Sequence, residues 1–538
     1  MPKKDNGMSC TANGECKTDA CAKEGTATSG VCCDRACGGG ANVCESCALS
    51  GKVGTCSFKS AGTVCGPGAD VCTDNATTRS SATLRQQCSG TAATCGASGA
   101  CPAGTKCNAA KTACATSCSA HSECWEGICD LWDIHNAQNK CASPADTCHV
   151  SPGGSGNGTF GSPFGIIQNC LAANKKYVRV SDGTYNESLS VKNKVALIAP
   201  QSPAEAMVTG SFTSNVIIQS PSASDALTVD GSKIAGSDKR ALVYGMRFTS
   251  TSGSGSAIYV TQAARVDLLS VGAHDVAGTC IFSDASAALI VASSGTSRCG
   301  TGILKVGGSL DLRASYVFDH QTQGISVGNA SLTMRSTIVG GNNVGVAISE
   351  STVDIDRVYV LQNNDRGIEI ADSTAKVTNT VVASNGSWGI VVATVGGTAP
   401  GSSADFGNVT VAHNNGAAAD VYCDPVSNVT GRFVNSIIWD DTGTGFSGCS
   451  FEYSTIKTDS STPTGPGNNS LDPQFTFPSV LDYTLTSASP CVDTGSDTGG
   501  SIGTSVITAT DVKGNNRKVK VGSTSSTIDR GAFERQTP

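Results

Sequence analysis

Two histidine–aspartate pairs are the residues of this chain best suited to catalysis. Asp275 follows His274, His320 follows Asp319, and Arg298 lies between the two pairs. A histidine can act as a general base, carboxylates can orient it, and an arginine can neutralise the charge of an acidic sugar. Together they would form a lyase-like set. The alternative is that these residues occupy solvated turns and take no part in chemistry.

The spacing of an apolar triplet decides how these pairs are positioned. The triplet, usually led by glycine, recurs in steps of 21 to 23 residues at 257–260, 280–282, 302–304, 324–327, 345–348, 367–370 and 389–392. A fixed period of this size is typical of stacked supersecondary units, here too short to include a helix. The two histidine–aspartate pairs would then lie two coils apart, roughly 10 Å along one edge.

Two further columns of apolar residues run beside this first column. The second column is at 266–268, 310–313, 332–335, 353–356 and 375–378, and the third at 316–318, 337–339, 358–360, 381–382 and 409–411. Three short strands per coil predict an all-β fold, a right-handed single-stranded parallel β-helix. Asparagines follow the third column at 342–343, 363–364, 385 and 414–415, which predicts a stacked ladder of side-chain amides.

Period-two alternation turns the polar residues of the second column outward. These candidate binding residues are Asp311, Arg313, Arg335, Asp354, Asp356 and Lys376. Stacking would place Arg335 beside Asp356 and Asp354 beside Lys376 as cross-strand ion pairs, each contributing little. The functional alternative is a polar strip that binds a sugar chain or Ca²⁺. Two carboxylates, however, fall short of the roughly six to eight oxygens that Ca²⁺ takes. No other cofactor is indicated.

Cysteine is concentrated at the start of the chain, where 21 of the 27 cysteines fall at or before Cys148. Such density predicts a disulfide framework formed in an oxidising compartment. The candidate disulfide residues are Cys32, Cys33, Cys37, Cys44, Cys47, Cys56, Cys65, Cys280, Cys299, Cys423 and Cys449. One cysteine must stay unpaired or bond to another chain, and Cys170 and Cys491 are the leading candidates.

These patterns divide the chain into four segments. Residues 1–148 form the disulfide-rich module, 149–200 an N-terminal cap with the first coils, 201–460 the rungs, and 461–538 a C-terminal extension packed on the last coils. A polar cap is what a solenoid needs to protect its first open edge.

Three motif series resemble known families. Residues 30–37 read Gly-Val-Cys-Cys-Asp-Arg-Ala-Cys, and Cys44-x-x-Cys47 and Gly-Thr-Cys56 follow. This series resembles the Dickkopf-like cysteine-rich segments on secreted proteins of myxobacteria and their relatives, which implies a surface location. The Gly-Thr, Ser-Pro-Phe and Asp-Gly-Thr-Tyr motifs at 158–185 resemble the cap of pectate-lyase-like parallel β-helix proteins. The motifs at 472–475, 482–485, 487–495 and 528–534 resemble the C-terminal extension of bacterial surface β-helix proteins.

Function is less constrained than fold, because the β-helix hosts lyases, hydrolases and epimerases. The chain contains neither Gly-His-Gly nor Asp-Pro-His-Asp, and its net charge of −7 argues against nucleic acid. No apolar run is long enough to span a membrane. We predict a secreted or surface-displayed bacterial protein for adhesion or polysaccharide recognition. The alternatives are a polysaccharide lyase or glycoside hydrolase with a site near His274 and Asp319, and a self-associating structural component of an envelope or fibre.

Overall fold

The computed structural model describes the chain in two compact units, Met1–Thr147 and Cys148–Pro538. The residues not described are 1, 25–26, 39–42, 66–71, 75–81, 85, 97–98, 201–214, 251–254, 263, 285–286, 396–400, 416–419, 426–427, 441–444, 459–463, 519–526 and 537–538.

The first unit is held by disulfides rather than by an apolar core. Its ten bridges are Cys10–Cys21, Cys16–Cys32, Cys33–Cys47, Cys37–Cys56, Cys44–Cys88, Cys65–Cys95, Cys72–Cys107, Cys101–Cys114, Cys118–Cys129 and Cys124–Cys141. Its strands are short antiparallel pieces: Ser9–Cys10, Cys21–Ala22, Gly30–Cys32, Glu45–Ser46, Ser57–Phe58, Cys72–Thr73, Thr83–Leu84 and Gly99–Ala100. Two 3₁₀ turns, Asn13–Glu15 and His121–Glu123, complete it. Cross-links of this density stand in for the core that so short a segment cannot build.

The second unit opens with a cap. Strands Thr147–Val150, Ser155–Thr159 and Ser162–Phe164 precede the helix Ile167–Ala172. Cys148 bonds to Cys170 on that helix, so the prediction that Cys170 could be unpaired is wrong. The free cysteine is Cys491, which is buried. Burial raises the pKa of its thiol, which keeps the sulfur protonated and unreactive.

The body of the second unit is a parallel β-helix with three strand columns, as the 22-residue period predicts. The second column forms one sheet: Tyr177–Val180, Val195–Ile198, Arg240–Tyr244, Arg265–Leu269, Ala288–Ala292, Ser309–Arg313, Ser331–Arg335, Thr352–Asp356, Thr374–Thr378, Ser402–Gly407, Val429–Val434 and Ser450–Glu452. Each strand pairs in parallel with its equivalent one coil on; Leu310, for example, lies opposite Leu332, and Leu332 opposite Val353.

The third and first columns share the other large sheet. The third column contains Gly183–Tyr185, Val216–Ser220, Arg247–Ser250, Tyr316–Phe318, Ile338–Gly340, Tyr359–Leu361, Val381–Ala383, Thr410–Ala412, Ile437–Trp439 and Thr455–Ile456. The first column contains Leu189–Val191, Leu227–Asp230, Ile258–Thr261, Gln323–Gly328, Val344–Ser349, Ile368–Ala371, Ile390–Ala393, Val421–Cys423 and Phe446–Ser447. Two strands, Gly272–Ser283 and Gly295–Val306, run through both columns without a break and so join them.

Aliphatic rows fill the interior of the solenoid. Leu310, Leu332 and Val353 form one such row, and each is at most 3% exposed. The neighbouring inward row, which includes Leu312 and Met334, becomes aromatic near the C-terminal end, where Phe406 stacks on Phe433 with ring centroids 4.1 Å apart. No coil could bury these side chains alone, so the apolar area removed from water stabilises coils only in contact with each other.

Two disulfides tie neighbouring coils together, Cys280–Cys299 and Cys423–Cys449. The second needs space inside the solenoid. Gly431 supplies it, because a Cβ added there would lie 2.2 Å from the Cys423 sulfur.

The predicted asparagine ladder is confirmed. The Nδ2 of Asn342 donates to the Oδ1 of Asn363 at 2.9 Å, Asn363 donates to Asn385 at 2.8 Å, and Asn385 donates to Asn414 at 2.8 Å. The ladder ends where Asn414 donates to the carboxylate of Asp420 at 2.8 Å. Each acceptor oxygen also takes the backbone N–H of the asparagine before it. These buried amides therefore satisfy one another and the backbone at each corner.

The C-terminal segment covers the outer face of the third column. It contains the antiparallel strands Phe475–Phe477 and Asp482–Leu485 and 3₁₀ turns at Pro478–Val480, Gly500–Ile502 and Thr504–Val506. Tyr483 and Phe533 pack against Val381 and Ala412 of that column. The buried Arg517 donates to Asn379 Oδ1 at 2.6 Å, which fixes the segment to the corner after the second column.

A lysine side chain lies inside the solenoid. Lys305 stands in an inward row between Ser283 and Val327, is 0% exposed, and donates to the Ser283 hydroxyl at 3.0 Å. Burial lowers the pKa of its amine to about 8. Among the described residues, no helix is long and apolar enough to cross a membrane.

Replacing Asn363 by Ala should lower the free energy of unfolding by about 2–4 kcal/mol, because it strands the amides of Asn342 and Asn385 in a buried corner. The matched control is Asn364→Ala, which removes an exposed amide next to it and should have little effect. Urea unfolding of the oxidised protein measures both. Equal destabilisation by the two variants would contradict the structural role of the ladder.

Lys305→Met should raise the urea midpoint at neutral pH. The folded-state pKa of about 8 lies below the ordinary 10.5, so below pH 8 the folded state carries the full cost of a buried charge, about 3 kcal/mol. Between those pH values the unfolded state binds more protons, so the stability of the wild type rises with pH and the advantage of the variant shrinks. Lys376→Met, at an exposed position, is the control. An advantage that stays constant with pH would contradict the lowered pKa.

Candidate functional site

The outer face of the third column brings together the candidate residues around His274. Strand register places His274, Ser297 and Phe318 in one outward row on three consecutive coils. Beside it runs a second row, in which two glycines, Gly272 and Gly295, precede Tyr316. Since neighbouring strands are about 4.8 Å apart, the site extends over roughly 10 Å.

The imidazole of His274 lies between a carboxylate and a guanidinium group. Its Nδ1 lies 2.6 Å from Asp275 Oδ2, and the Nη2 and Nε of Arg247 approach its Nε2 at 2.9 and 3.1 Å. Because a guanidinium only donates, Nε2 is the acceptor and the proton is on Nδ1. Both ring nitrogens are therefore engaged in the structure.

The electrostatics of the cluster favour a neutral imidazole. Burial lowers the pKa of His274, the charge of Arg247 lowers it further, and only the contact with Asp275 opposes them. Arg298 donates to both oxygens of Asp275 at 2.6 and 2.9 Å. That bidentate bond, helped by His274, lowers the pKa of Asp275 to about 2. Asp275 is thus a fixed anion and His274 a neutral ring at ordinary pH.

A column of left-handed residues forms the edge of this site. Asp275, Arg298 and Asp319 have φ angles of 57°, 53° and 59° and succeed one another at the corner after the third column. This backbone turns their side chains outward, and Asp319 is exposed. A Cβ at the next position, Gly341, would lie 2.4 Å from the Asp319 carboxylate, so glycine leaves room for that side chain.

His320 lies inside the solenoid and not on this outer edge, so the structure does not bring its ring together with the Asp319 carboxylate as the sequence predicted. It is 2% exposed and stands at the head of the asparagine ladder, where its backbone N–H donates to Asn342 Oδ1 at 3.1 Å. Its Nδ1 accepts the N–H of Cys299 at 3.1 Å. Burial lowers its pKa to about 4. At a tight corner consecutive side chains point in opposite directions. The spacing of His320 from Asn342, one coil, was the sequence signal for its inward position.

The ring of His320 also lies beside the Cys280–Cys299 disulfide, with the three possible ligand atoms within 4.8 Å of one another. The two sulfurs are bonded to each other, so neither is a thiolate that could bind a metal.

Two aromatic side chains near the cluster were not recognised as site residues from the sequence. Tyr316 and Phe318 are half-buried on the outer face, with ring centroids 6.1 Å apart and planes 28° from parallel. The Phe318 ring lies over Gly340, where an added Cβ would be 2.9 Å from it. Alternation in the strand Tyr316–Phe318 turns both rings outward, and this was the sequence signal that could have found them.

The polar strip on the second column is neutralised within itself. Arg313 bonds to Asp311, Arg335 bonds to Asp354, and Lys376 lies 3.9 Å from Asp354. The prediction for Asp354 and Lys376 is confirmed, whereas the predicted partnership of Arg335 with Asp356 is wrong.

The carboxylate of Asp356 already accepts hydrogen bonds from other side chains. Arg357 donates to it at 3.1 Å and Asn379 Nδ2 at 2.7 Å, so Arg335 reaches diagonally to Asp354 instead. Since Asp354 and Asp356 each bond to their own partners, they do not form a shared cation site on this strand.

Several solved structures match the chain at low similarity. The A-module of mannuronan C-5 epimerase AlgE4 of Azotobacter vinelandii is 13% identical, covers 60% of this chain and 95% of its own, and has a TM-score of 0.40. Pectate lyase Pel9A is 16% identical over 72% and 96%, with a TM-score of 0.36. XylC in complex with xylose is 10% identical over 61% and 87%, with a TM-score of 0.42. No family model and no curated protein matches the sequence. Values this low carry no argument about activity, and the β-helix rests on the strand register of this chain.

Substitutions on the two sides of His274 should move its pKa in opposite directions. Arg247→Met removes a nearby positive charge and should raise the pKa, whereas Asp275→Asn removes the stabilising carboxylate and should lower it. NMR titration of the imidazole, assigned with His274→Gln, measures both shifts. Arg313→Met, which removes an arginine paired elsewhere, is the control and should leave the titration unchanged. Shifts of the same sign would contradict the clamped geometry.

Proposed function

We propose that this protein is a secreted or cell-surface β-helix that binds a polysaccharide on the outer face of the third column without cleaving it. The proposal rests on one observation: an apolar surface and a hydrogen-bonding surface lie next to each other on the same face of the solenoid. The Tyr316 and Phe318 rings are an apolar platform, and beside them the Asp275–Arg298 pair is a planar set of hydrogen-bonding groups.

Sugars present apolar ring faces and polar hydroxyl edges, so a site that binds them needs both kinds of surface. Gly272 and Gly295, which precede Tyr316 in its row, add no side chain to the face next to the rings. Two arginines and two aspartates, with a neutral His274, leave the cluster close to electrically neutral. A polymer rich in hydroxyl groups fits such a surface better than a densely charged polymer does.

Catalysis is the second candidate, because the structure brings His274, Asp275 and Arg298 into contact. A general base must offer a lone pair to the substrate, and here the Nε2 lone pair of His274 faces Arg247. Lyase activity would require Arg247 to leave that nitrogen when substrate binds. Binding alone requires no such rearrangement, which is why we favour it.

The extracellular setting is supported by the 13 disulfides of the chain, which persist under oxidising conditions. The Dickkopf-like resemblance of the first unit adds a bacterial surface location, such as that of secreted myxobacterial proteins, to the proposal. A fibre linked through the free cysteine is less well supported, because Cys491 is buried and its thiol contacts Thr455 at 3.3 Å.

A glycan array screened with the full-length protein tests the proposal. Phe318→Ala should weaken binding to any polysaccharide found by about tenfold or more, because it removes half of the platform. Phe282→Ala is the matched control, since Phe282 stacks on Tyr259 with centroids 5.1 Å apart on the first column instead. Loss of binding in Phe282→Ala alone would move the site to the other face.

The same polysaccharides should remain intact during incubation, as followed by ultraviolet absorbance of unsaturated products and by reducing-end assay. Turnover that is abolished in His274→Gln would overturn the non-catalytic part of the proposal and establish the lyase or hydrolase alternative.

A further inference from the structure

A second aromatic cluster lies on the outer face of the first column, among its last coils. Trp388 comes just before the strand Ile390–Ala393, and Tyr422 lies opposite Val391 on the next coil. The two ring centroids are 6.0 Å apart. The guanidinium carbon of Arg366, from the coil before, lies 5.4 Å from the centroid of the Trp388 ring, within reach of a cation–π contact. Three planar groups from consecutive coils are thus neighbours on this face.

The cluster has an apolar floor and one acidic side chain. Val391 alternates with the core residues Ile390 and Val392 and so points outward, yet it is only 6% exposed. Side chains on the outer face therefore cover it. Glu369 lies opposite Val391 on the preceding coil, and its Oε1 accepts a hydrogen bond from Nη1 of Arg366 at 2.7 Å. This ion pair fixes the guanidinium, and both of its side chains remain about a third exposed, at 32% and 30%.

Four polar groups around these rings are open to solvent. They are Nη2 of Arg366, Oε2 of Glu369, Nε1 of Trp388 and the hydroxyl of Tyr422. None of them has a hydrogen-bond partner among the described residues, and none is a buried atom. The set comprises two donors, one acceptor and one hydroxyl that can act as either. A ligand could bond to all four without breaking a hydrogen bond within the protein.

Another aromatic pair on the same column differs in this respect. Tyr259 and Phe282 stack with centroids 5.1 Å apart and planes 20° from parallel, so their faces cover each other. The Tyr259 hydroxyl donates to Asp284 Oδ2 at 2.5 Å, so its polar group is used within the protein. The planes of Trp388 and Tyr422 are 35° apart, and their polar groups have no such bond. Unsatisfied polar groups, and not aromatic content alone, distinguish the later cluster.

The stack of planar groups ends at Tyr422. Its neighbour in the same row one coil on is Ser447, which is exposed and belongs to Phe446–Ser447, the last strand that the structure describes in this column. A serine side chain is too small to continue a stack of rings. The position next to Tyr422 is therefore filled by no aromatic group from the following coil.

We propose that this cluster is a second carbohydrate subsite, which binds a neutral pyranose unit against Trp388 and Tyr422. The rings supply an apolar surface for the C–H face of the sugar, and the open groups supply partners for its hydroxyls. The charge of Arg366 is balanced by Glu369 and faces Asp365 at 3.9 Å, so no excess positive charge is left to attract a uronate. The inference rests on the proposed function, since it gives the same polysaccharide a second contact on a different column.

Calorimetric titration of the full-length oxidised protein with cellohexaose, xylohexaose, mannohexaose and maltohexaose tests the subsite, with hexagalacturonate as the charged comparison. Trp388→Ala should weaken binding of the neutral sugar that binds best by about tenfold or more, because the larger of the two rings is lost. Glu369→Gln keeps the size of the side chain but removes the anionic acceptor, and should weaken binding several-fold. Phe282→Ala, which changes the other aromatic pair of the column, is the control and should bind as the wild type does.

Tryptophan fluorescence locates the bound sugar even if Trp388→Ala folds poorly. Sugar should change the emission of the wild type and of Trp439→Phe, whose ring packs near Cys491 instead, but not that of Trp388→Phe. The change should persist in Phe318→Ala, because the two subsites lie on different columns. Trp388→Phe keeps an aromatic ring at the position, and an unchanged urea midpoint confirms that it folds.

The outcomes separate this inference from the proposed function. Glycan binding that Phe318→Ala weakens and that Trp388→Ala and Glu369→Gln leave unchanged would overturn the subsite while the third-column site stands. Binding of none of the neutral hexasaccharides would also overturn the subsite, and an empty glycan array would overturn both. Tighter binding of hexagalacturonate than of every neutral sugar would overturn the assignment to a neutral unit.

Discussion

Contact between successive coils, made through parallel strand hydrogen bonds and inward aliphatic rows, is the interaction on which the rest of the solenoid depends. A coil of about 22 residues has three short strands and no core of its own. Leu332 is buried because Leu310 and Val353 lie on either side of it in the same row. The strands keep side chains in their rows while the turns absorb differences in coil length, since Asn385 still meets Asn414 although 29 residues separate them.

The same constraint governs polar groups in the interior. An inward polar side chain can be satisfied by the coil before or after it, and repetition of that contact gives a ladder. Asn342, Asn363 and Asn385 meet this condition with one another. The His320 ring meets it at the head of the ladder through the backbone N–H of Cys299 and the hydroxyl of Thr296. Lys305 donates to Ser283, and burial lowers the pKa of its amine.

Outward side chains are not subject to this constraint, and the outward side chains of the three faces differ in kind. The second column pairs acids with bases and so neutralises itself. The third column has an aromatic and charged cluster at Tyr316 and Arg298 in its earlier coils, and the C-terminal segment covers its later coils through Tyr483 and Phe533. Binding functions are therefore most plausible where the solenoid leaves groups unsatisfied or rings uncovered.

The sequence by itself determined the repeating part of this protein. The period, the inward rows, the asparagine ladder and the bridge between Cys280 and Cys299 all depend on neighbours one coil away, and a fixed spacing specifies such neighbours directly. Only the tertiary structure decided what lies at corners and between distant segments. Consecutive residues at a corner separate, so His320 turned inward while Asp319 stayed outside.

The repeat pattern also could not predict which partners long side chains bond to, or which distant segments of the chain come into contact. Arg335 bonds to Asp354 and not to its register partner Asp356, because Asn379 and Arg357 already donate to the Asp356 carboxylate. Asn379 in turn is fixed by Arg517, 138 residues further along the chain. Periodicity records which backbone positions are adjacent, whereas the choice among several side chains within reach depends on competing hydrogen bonds that exist only once the chain has folded.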